Sequence, residues 1–357
     1  MRVLISGGGT GGHLYPAIAV AQALSRNASD ANLLYVGLRG GIEERIVPRY
    51  GLPFRTIVAP KLDMEQLWRN WSVPLVAPRA LWQGWRIVGD FHPDVVLGTG
   101  GYVSAPVILA AAVRRIPIVL QEQNLLPGRT TRWLSRLARV VATGYEESAR
   151  YLHARCVVTG TPVRKEFTVR REAFPARPER LLILGGSQGA HRINQAVARL
   201  AAALTTQLGL TVWHQTGQRD LTEMEAVRAQ LGSAADDYRP FAFAEDLAER
   251  VVAADLVLSR AGASAISEVS AVGIPMLLVP GPFAGGHQRL NAEPLARAGA
   301  AVIIPDDNAL PQGIFQQVSN IVEDQARYRA MVDAMRALGR PHAADDVVGL
   351  LQSVAAR

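Results

Sequence analysis

Short apolar runs rich in β-branched residues recur along the chain, alternating with longer stretches whose apolar positions fall at helical spacing. The runs at 3–6, 33–36, 94–97, 118–121 and 140–142 predict five strands, and those at 181–184, 211–214, 256–258 and 276–279 predict four more. Several are apolar throughout rather than alternating, which is the pattern of a strand covered on both faces. Strand–helix alternation of this kind predicts an α/β fold, with parallel sheets doubly wound by helices.

The pattern also divides the chain. Residues 160–180, "GTPVRKEFTVRREAFPARPER", are crowded with charge and proline and predict a linker. The two sides of it resemble each other. "LISGGGTGGH" is matched by "LILGGSQGAH", and "DVVLGTGGYVSAPVILAAAVRRIPIVL" (94–120) by "DLVLSRAGASAISEVSAVGIPMLLV" (255–279). Each member of the second pair reads as an aspartate-led strand, a glycine loop, a helix and an Ile-Pro strand. Two Rossmann-like domains follow, at 1–162 and 163–341, with the active site expected in the cleft between them. Segment 342–357 is helical again after Pro341 and either caps the second domain or crosses back to the first.

Composition narrows the class. A length of 357 residues suits two domains, and 49% hydrophobic content supports substantial cores. The single cysteine, Cys156, excludes a disulfide framework and a thiolate metal site. The opening "MRVLIS" reads directly as a strand, so no secretory leader is expected, and the apolar stretch 102–113 is too short to span a bilayer. The expected compartment is a reducing cytoplasm. Net charge is +7, and it is uneven: residues 1–160 carry 18 Lys and Arg against 10 Asp and Glu, the remainder 20 against 21. A basic first half points to an anionic partner, either phosphates or a membrane surface. Nucleic acid fits poorly, because the arginines are scattered and no recognition module is present.

The first glycine run contains Gly7-x-Gly9-x-x-Gly12, formally a dinucleotide fingerprint. The acid that a nicotinamide site needs at the end of the second strand is missing from "LLYVGLRG". An NADP oxidoreductase using Arg39 is therefore a weak alternative. The run offers backbone N–H groups at a helix N-terminus, where anions bind, and Pro16 is expected in the first helical turn. His13 borders that mouth. It reads either as a surface or capping residue or as a general base, since imidazole titrates near neutrality. Glu122 and Asn124 in "LQEQNLLPG" flank the end of another strand, as turn caps or as site residues.

In the second half, "SRAGASAISEVSAVG" leads from a glycine turn into a helix with Ser264, Ser267 and Glu268 expected in its first turn. Glutamate there serves the helix dipole or, in a nucleotide site, accepts from ribose hydroxyls. "PFAGGHQRLNA" supplies His287, Gln288 and Asn291, groups suited to a sugar. There is no Asp-x-Asp pair, Walker lysine or zinc spacing, so neither a metal nor a cofactor is expected.

Taken together, "GGGTGGHLYPAIAVA", "PDVVLGTGGYVSAP", "QEQN", "PVR", "GGSQGA", "AGASAISE" and "HQRLNA" resemble the MurG family, nearly end to end and in the same order. The resemblance implies a GT-B fold and an inverting transferase of peptidoglycan synthesis. Such an enzyme moves N-acetylglucosamine from its UDP donor to the C4 hydroxyl of undecaprenyl-diphosphate-linked N-acetylmuramoyl-pentapeptide, converting lipid I to lipid II. By motif it places Thr10, Gly11, Gly12, Asn124, Arg164 and Ser187 at the donor, the backbone of Ala244 near uracil, and His287 and Gln288 at the sugar. Ala263, Ser264, Ala265, Ile266 and Ser267 would face diphosphate and ribose, with Glu268 on the ribose hydroxyls. His13 is the first candidate for base and Glu122 its competitor. The chain departs from the family at Thr161 before "PVR", at Gly285-Gly286 before His287, and at Ser264-Ala265. The nearest rival is another UDP-sugar enzyme of the same fold, an epimerase or a transferase with a different acceptor.

A lipid acceptor requires docking. Residues 68–87, "WRNWSVPLVAPRALWQGWRI", hold four of the six tryptophans, interleaved with Arg69, Arg79 and Arg86. This is either a core helix with solvated arginines or a surface seated among anionic headgroups. The latter implies peripheral attachment to the cytoplasmic face of the inner membrane, beside other cell-wall and division proteins.

Overall fold

The computed structural model describes residues 1–27, 31–60, 73–185, 189–282 and 286–356. The chain forms two compact units, one of residues 1–165 with 342–357 and the other of residues 166–341. The first unit holds β1 (Arg2–Gly7), β2 (Asn32–Leu38), β3 (Phe54–Ile57), β4 (Val95–Gly100), β5 (Ile118–Glu122), β6 (Val140–Thr143) and β7 (Arg155–Val158). These pair in the order β3-β2-β1-β4-β5-β6-β7, with every pair parallel. The second unit holds β8 (Arg180–Leu184), β9 (Thr211–Gln215), β10 (Tyr238–Phe241), β11 (Leu256–Ser259), β12 (Met276–Leu278) and β13 (Ala301–Ile303). Their order is β10-β9-β8-β11-β12-β13, again all parallel. Both sheets follow the Rossmann order, the first with one strand added.

Each of the nine sequence-predicted runs coincides with an interior strand, and the strands left unpredicted, β3, β7, β10 and β13, are the four sheet edges. The reason is burial. Interior strands such as β4 are covered on both faces, whereas β7 has exposed ends and only half-buried middle positions and so carries little apolar signal.

The aspartate that leads each repeated motif has one purpose in both units. Asp94 accepts the Arg2 N–H at 2.7 Å, and Asp255 accepts the Glu179 and Arg180 N–H groups at 2.9 and 2.8 Å. Each carboxylate thereby pins the first strand of its sheet to the fourth. Segment 160–180 is held rather than loose: Phe167 is buried, Arg170 donates to the carbonyls of Arg336 and Gly339, and Arg171 pairs with Asp255 at 2.7 Å. The helix Ala343–Ala355 belongs to the first unit. Its Val347, Val348 and Leu351 join the core formed by β1, β4, β5 and the helix Gly11–Asn27.

Candidate active site

In the first sheet the strand order reverses between β1 and β4, so the loops that follow them leave on opposite faces and open a crevice at the carboxyl ends. The helix Gly11–Asn27 starts inside the glycine run. His13 and Leu14 both donate their N–H groups to Thr10 O, at 3.2 and 3.1 Å, which closes the first turn around Gly11, Gly12 and His13. Pro16, expected in that turn, lies one turn further on, because glycines that read as loop adopt helical geometry here. Thr10 and Gly12 are exposed, while Gly11 and His13 are half-buried.

Three strand ends converge on His13. Its Nδ1 lies 3.1 Å from the carbonyl oxygen of Thr99 at the end of β4, and the same oxygen accepts from Gln123 Nε2 at 2.8 Å, just after β5. Thr99 Oγ1 donates back to the His13 carbonyl at 2.8 Å. A carbonyl oxygen can only accept, so Nδ1 is the donor, and in the neutral ring Nε2 is then the nitrogen with the free lone pair. Glu122 is fully buried, and both its oxygens are engaged. Oε1 accepts from the backbone and side-chain nitrogens of Asn124 at 3.0 and 3.1 Å, and Oε2 from Gly128 N at 3.2 Å. Its carboxylate therefore holds the turn at 123–128.

The glycines serve close packing of the chain on itself. A Cβ at Gly101 (φ +81°) would lie 2.2 Å from the Gly8 carbonyl oxygen, and one at Gly8 (φ +154°) would overlap the carboxylate of Glu43. The loops after β1 and β4 thus touch backbone to backbone. Glu43, from the short helix Ile42–Ile46, is fully buried and accepts the Gly9 N–H. Burial, and secondarily the Glu43 carboxylate, pushes the Tyr35 phenol well above its usual range and raises that of Tyr102. The Arg164 guanidinium lies over the Tyr15 ring, 4.5 Å from its centroid, within the same unit.

In the second unit the helix Ala263–Val272 follows β11, with Gly262 as its N-cap. Ala263 and Ile266 are buried, and Ser264, Ala265, Ser267 and Glu268 are half-buried. Ser267 and Glu268 fall in the second turn, not the first, so Glu268 does not serve as a first-turn dipole partner. The helix His287–Arg297 brings its residues to the same end of the sheet. Gln288 Oε1 accepts Gly281 N at 2.8 Å, and the buried Asn291 amide donates to Ala261 O at 3.5 Å. His287 is half-buried, and Ala244 is buried just before the helix Leu247–Ala253. Ser187 lies outside the described residues.

A polar chain supports the first helix of this unit, His191–Ala202. His191 Nδ1 meets Asp220 Oδ2 at 3.0 Å, and Asn194 donates to Asp220 at 2.7 Å and to Thr216 O at 2.8 Å. Asn194 Oδ1 in turn contacts His214 Nε2 at 3.0 Å, and His214 Nδ1 reaches the Tyr238 hydroxyl at 2.8 Å. Burial raises the Asp220 carboxyl, but the hydrogen bonds from His191 and Asn194, with the His191 and Arg219 charges, outweigh it and leave a net lowering. Burial drops His214 to about 3, against a smaller opposing pull from Asp220.

On the helix Val73–Phe91 the core side is Ala80, Gly84, Ile87 and Val88, while Leu75, Trp82 and Trp85 are 73%, 58% and 43% exposed. Of the predicted arginines, Arg86 lies 5.6 Å from the centroid of Trp82, and Arg114, from outside the segment, lies 3.8 Å from that of Trp85. Residues 68–72 of the predicted segment lie outside the described residues. A second concavity in the first unit, which sequence reasoning missed, is lined by Arg129, Arg132, Trp133, Arg136 and His153. Thr99 and Gln123 were also missed, although "GTGGYVSAP" and "QEQN" contain them. Among the described residues no helix is long and apolar enough to cross a membrane.

Residues 3–143 match the glycosyltransferase family 28 N-terminal domain, and residues 180–347 match the family 28 C-terminal domain. Fold and matches together define a glycosyltransferase of GT-B class. A UDP-N-acetylglucosamine–N-acetylmuramyl-(pentapeptide) pyrophosphoryl-undecaprenol N-acetylglucosamine transferase of Desulforudis audaxviator is 42% identical, over 100% of this chain and 99% of its own length. The Moorella thermoacetica enzyme of the same name is 40% identical over 98% of each chain. The crystal structure of Acinetobacter baumannii MurG superposes with a TM-score of 0.79 at 30% identity, covering 99% of both chains. The chain belongs to the MurG family. A UDP-GlcNAc 2-epimerase of Neisseria meningitidis, bound to UDP-GlcNAc, also superposes, with a TM-score of 0.71 and 99% and 100% coverage, but at 16% identity it shares the fold alone.

Proposed function

We infer that this chain transfers N-acetylglucosamine from UDP-N-acetylglucosamine to the C4 hydroxyl of undecaprenyl-diphosphate-linked N-acetylmuramoyl-pentapeptide, with inversion at the anomeric carbon. What carries the substrates is the 42% identity to a full-length relative of that name. The epimerase reading is weaker, since epimerases align at 12–16% identity.

His13 is the base in this reading. Its Nδ1–H is committed to Thr99 O, which leaves Nε2 to take the proton of the attacking hydroxyl. Glu122, with both oxygens engaged, holds the Asn124 turn instead. The first unit receives the acceptor, with Thr10, Gly11 and Gly12 at the helix N-terminus near diphosphate. The second unit receives UDP: the N-terminus of the helix Ala263–Val272 meets charge growing on the departing diphosphate, and Glu268 accepts from ribose. Ala244 lines the uracil, Arg164, Asn124 and Ser187 contact the donor, and His287, Gln288 and Asn291 frame the sugar. Radiolabelled donor with a short-chain lipid I analogue is expected to give labelled lipid and UDP in equal amounts. UDP release without acceptor, or epimerised donor, would overturn the reading.

The exposed Leu75, Trp82 and Trp85, with Arg79 and Arg86, support peripheral seating on the anionic cytoplasmic face of the inner membrane, aided by the Arg129–Arg132–Arg136 concavity. Sedimentation with vesicles containing anionic lipid checks this. Wild type is expected to bind, and Trp82→Ala with Trp85→Ala to bind less; equal binding counts against this surface.

A further inference from the structure

The buried carboxylate of Glu43 has no place in the reaction as set out above, yet everything around it is shaped to receive it. Gly8 and Gly41 lie so close that a Cβ on either would overlap its oxygens, and a Cβ at Gly37 would stand 2.8 Å from its own Cβ. Oε1 accepts the Gly9 N–H, and Oε2 is buried with no hydrogen-bond partner among the described residues. A carboxylate buried in that state costs stability, and a glutamine of the same shape would accept the same N–H without charge. An acid at such a site calls for an explanation.

The geometry points to Glu43 as a positioning residue that locks the peptide between Gly8 and Gly9. In a trans peptide the N–H and C=O point in opposite directions. Here the N–H of that peptide runs to Glu43, while its carbonyl, Gly8 O, rests against Gly101, whose added Cβ would stand 2.2 Å away. Both residues have positive φ, +154° at Gly8 and +81° at Gly9. Glycines rotate through such regions at little cost, so this peptide would flip readily without a strong acceptor on one side. A hydrogen bond to a charged acceptor is the stronger kind and opposes the flip. Thr10 follows directly, and its carbonyl starts the turn that carries His13. Glu43 thus sets the ring against Thr99 O from behind, without touching substrate.

The inference rests on the transferase reading only for its kinetic arm. Glu43→Ala is expected to lower kcat about 100-fold, the size of loss that a displacement of about 1 Å produces. The KM for UDP-N-acetylglucosamine, whose UDP the proposed function assigns to the second unit, should stay within about threefold. Glu43→Gln, which can still accept from Gly9, should recover activity to within about tenfold of wild type. Amide hydrogen exchange across residues 8–13, read without any substrate, should quicken by about 10- to 100-fold in Glu43→Ala while β1 and β4 stay protected. Unchanged kcat or unchanged exchange at Gly9 overturns the proposal. So does protection lost across the whole first unit with kcat per folded molecule intact, which marks a purely structural acid. If wild type transfers nothing but the exchange result holds, the transferase reading falls and the peptide lock stands.

Discussion

The two units repeat one sentence of sequence, strand–glycine loop–histidine–helix, and give it different partners. In the first, His13 Nδ1 lies against the backbone carbonyl of Thr99 at 3.1 Å; in the second, His191 Nδ1 lies against the carboxylate of Asp220 at 3.0 Å. A carbonyl orients an imidazole without taking up charge, whereas a carboxylate orients it and also binds its protonated form. In the proposed mechanism the difference separates the ring assigned as base from one that ties down a helix end. Asp220 is shared with Asn194 and through it with His214, so the second histidine belongs to a supporting network. The loops differ as well. The first interleaves with its neighbour across β1 and β4, while in the second Gly189 (φ +74°) lies against the end of β9, a Cβ there falling 2.5 Å from Thr216 O.

The comparison breaks first at the histidines. His13→Ala is expected to lower kcat by about 10²- to 10⁴-fold, the usual worth of a positioned base. His191→Ala should cost less than about tenfold, since a partly exposed ion pair is worth about 1 kcal/mol or less. Steady-state transfer to a lipid I analogue checks both, and equal losses would erase the distinction.

The glycines come next. Gly101→Ala adds a Cβ 2.2 Å from a backbone oxygen at a φ of +81°, and should cost about 2–4 kcal/mol of stability by denaturant unfolding. It should also lower kcat, because the crowding falls on the His13 loop. Gly189→Ala meets a similar obstacle at 2.5 Å and should destabilise comparably, about 1–3 kcal/mol, with its functional loss in KM for the donor. A kcat effect at Gly189 with none at Gly101 would invert the assignment of the units.

The last effect emerges only in acid. His214 is buried, and its folded-state value is lowered to about 3, so between about 6.5 and 3 the unfolded chain binds a proton that the folded chain does not. Stability therefore falls as pH drops through that window, by up to about 1.4 kcal/mol per pH unit from this residue. His214→Gln should flatten that slope in acid unfolding curves, and an unchanged slope would relocate the acid sensitivity.

The interior of both sheets was legible because strands covered on two faces must be apolar, and those nine runs carried the whole parallel arrangement. The edges β3, β7, β10 and β13 were not, being short and half solvated. At the site, His13 and the glycine loops stood out as residue types. What fixes them did not: Thr99 is 86 positions from His13, and Glu43 is 34 from Gly9. Neither distance leaves a periodic trace. The carboxylate that touches the glycine loop hides in "GLRGGIEERIV", just past the strand end where an acid was sought. The glycines themselves announced a bound ligand, when much of their need comes from the chain's own close packing.

The helix Ala343–Ala355 follows the second unit along the chain yet completes the first. Asp345 binds Arg26 at 3.4 Å and Asn27 at 2.9 Å, and Val347, Val348 and Leu351 close the core beside the helix Gly11–Asn27. On the ribosome this makes assembly out of order. At about 5–20 residues per second, the first unit waits roughly ten to forty seconds for its own closing helix while the second is synthesised and folds. Throughout that interval the apolar stripe beside the helix Gly11–Asn27 stands uncovered, so the nascent chain stays exposed to aggregation and to chaperones until that last helix arrives.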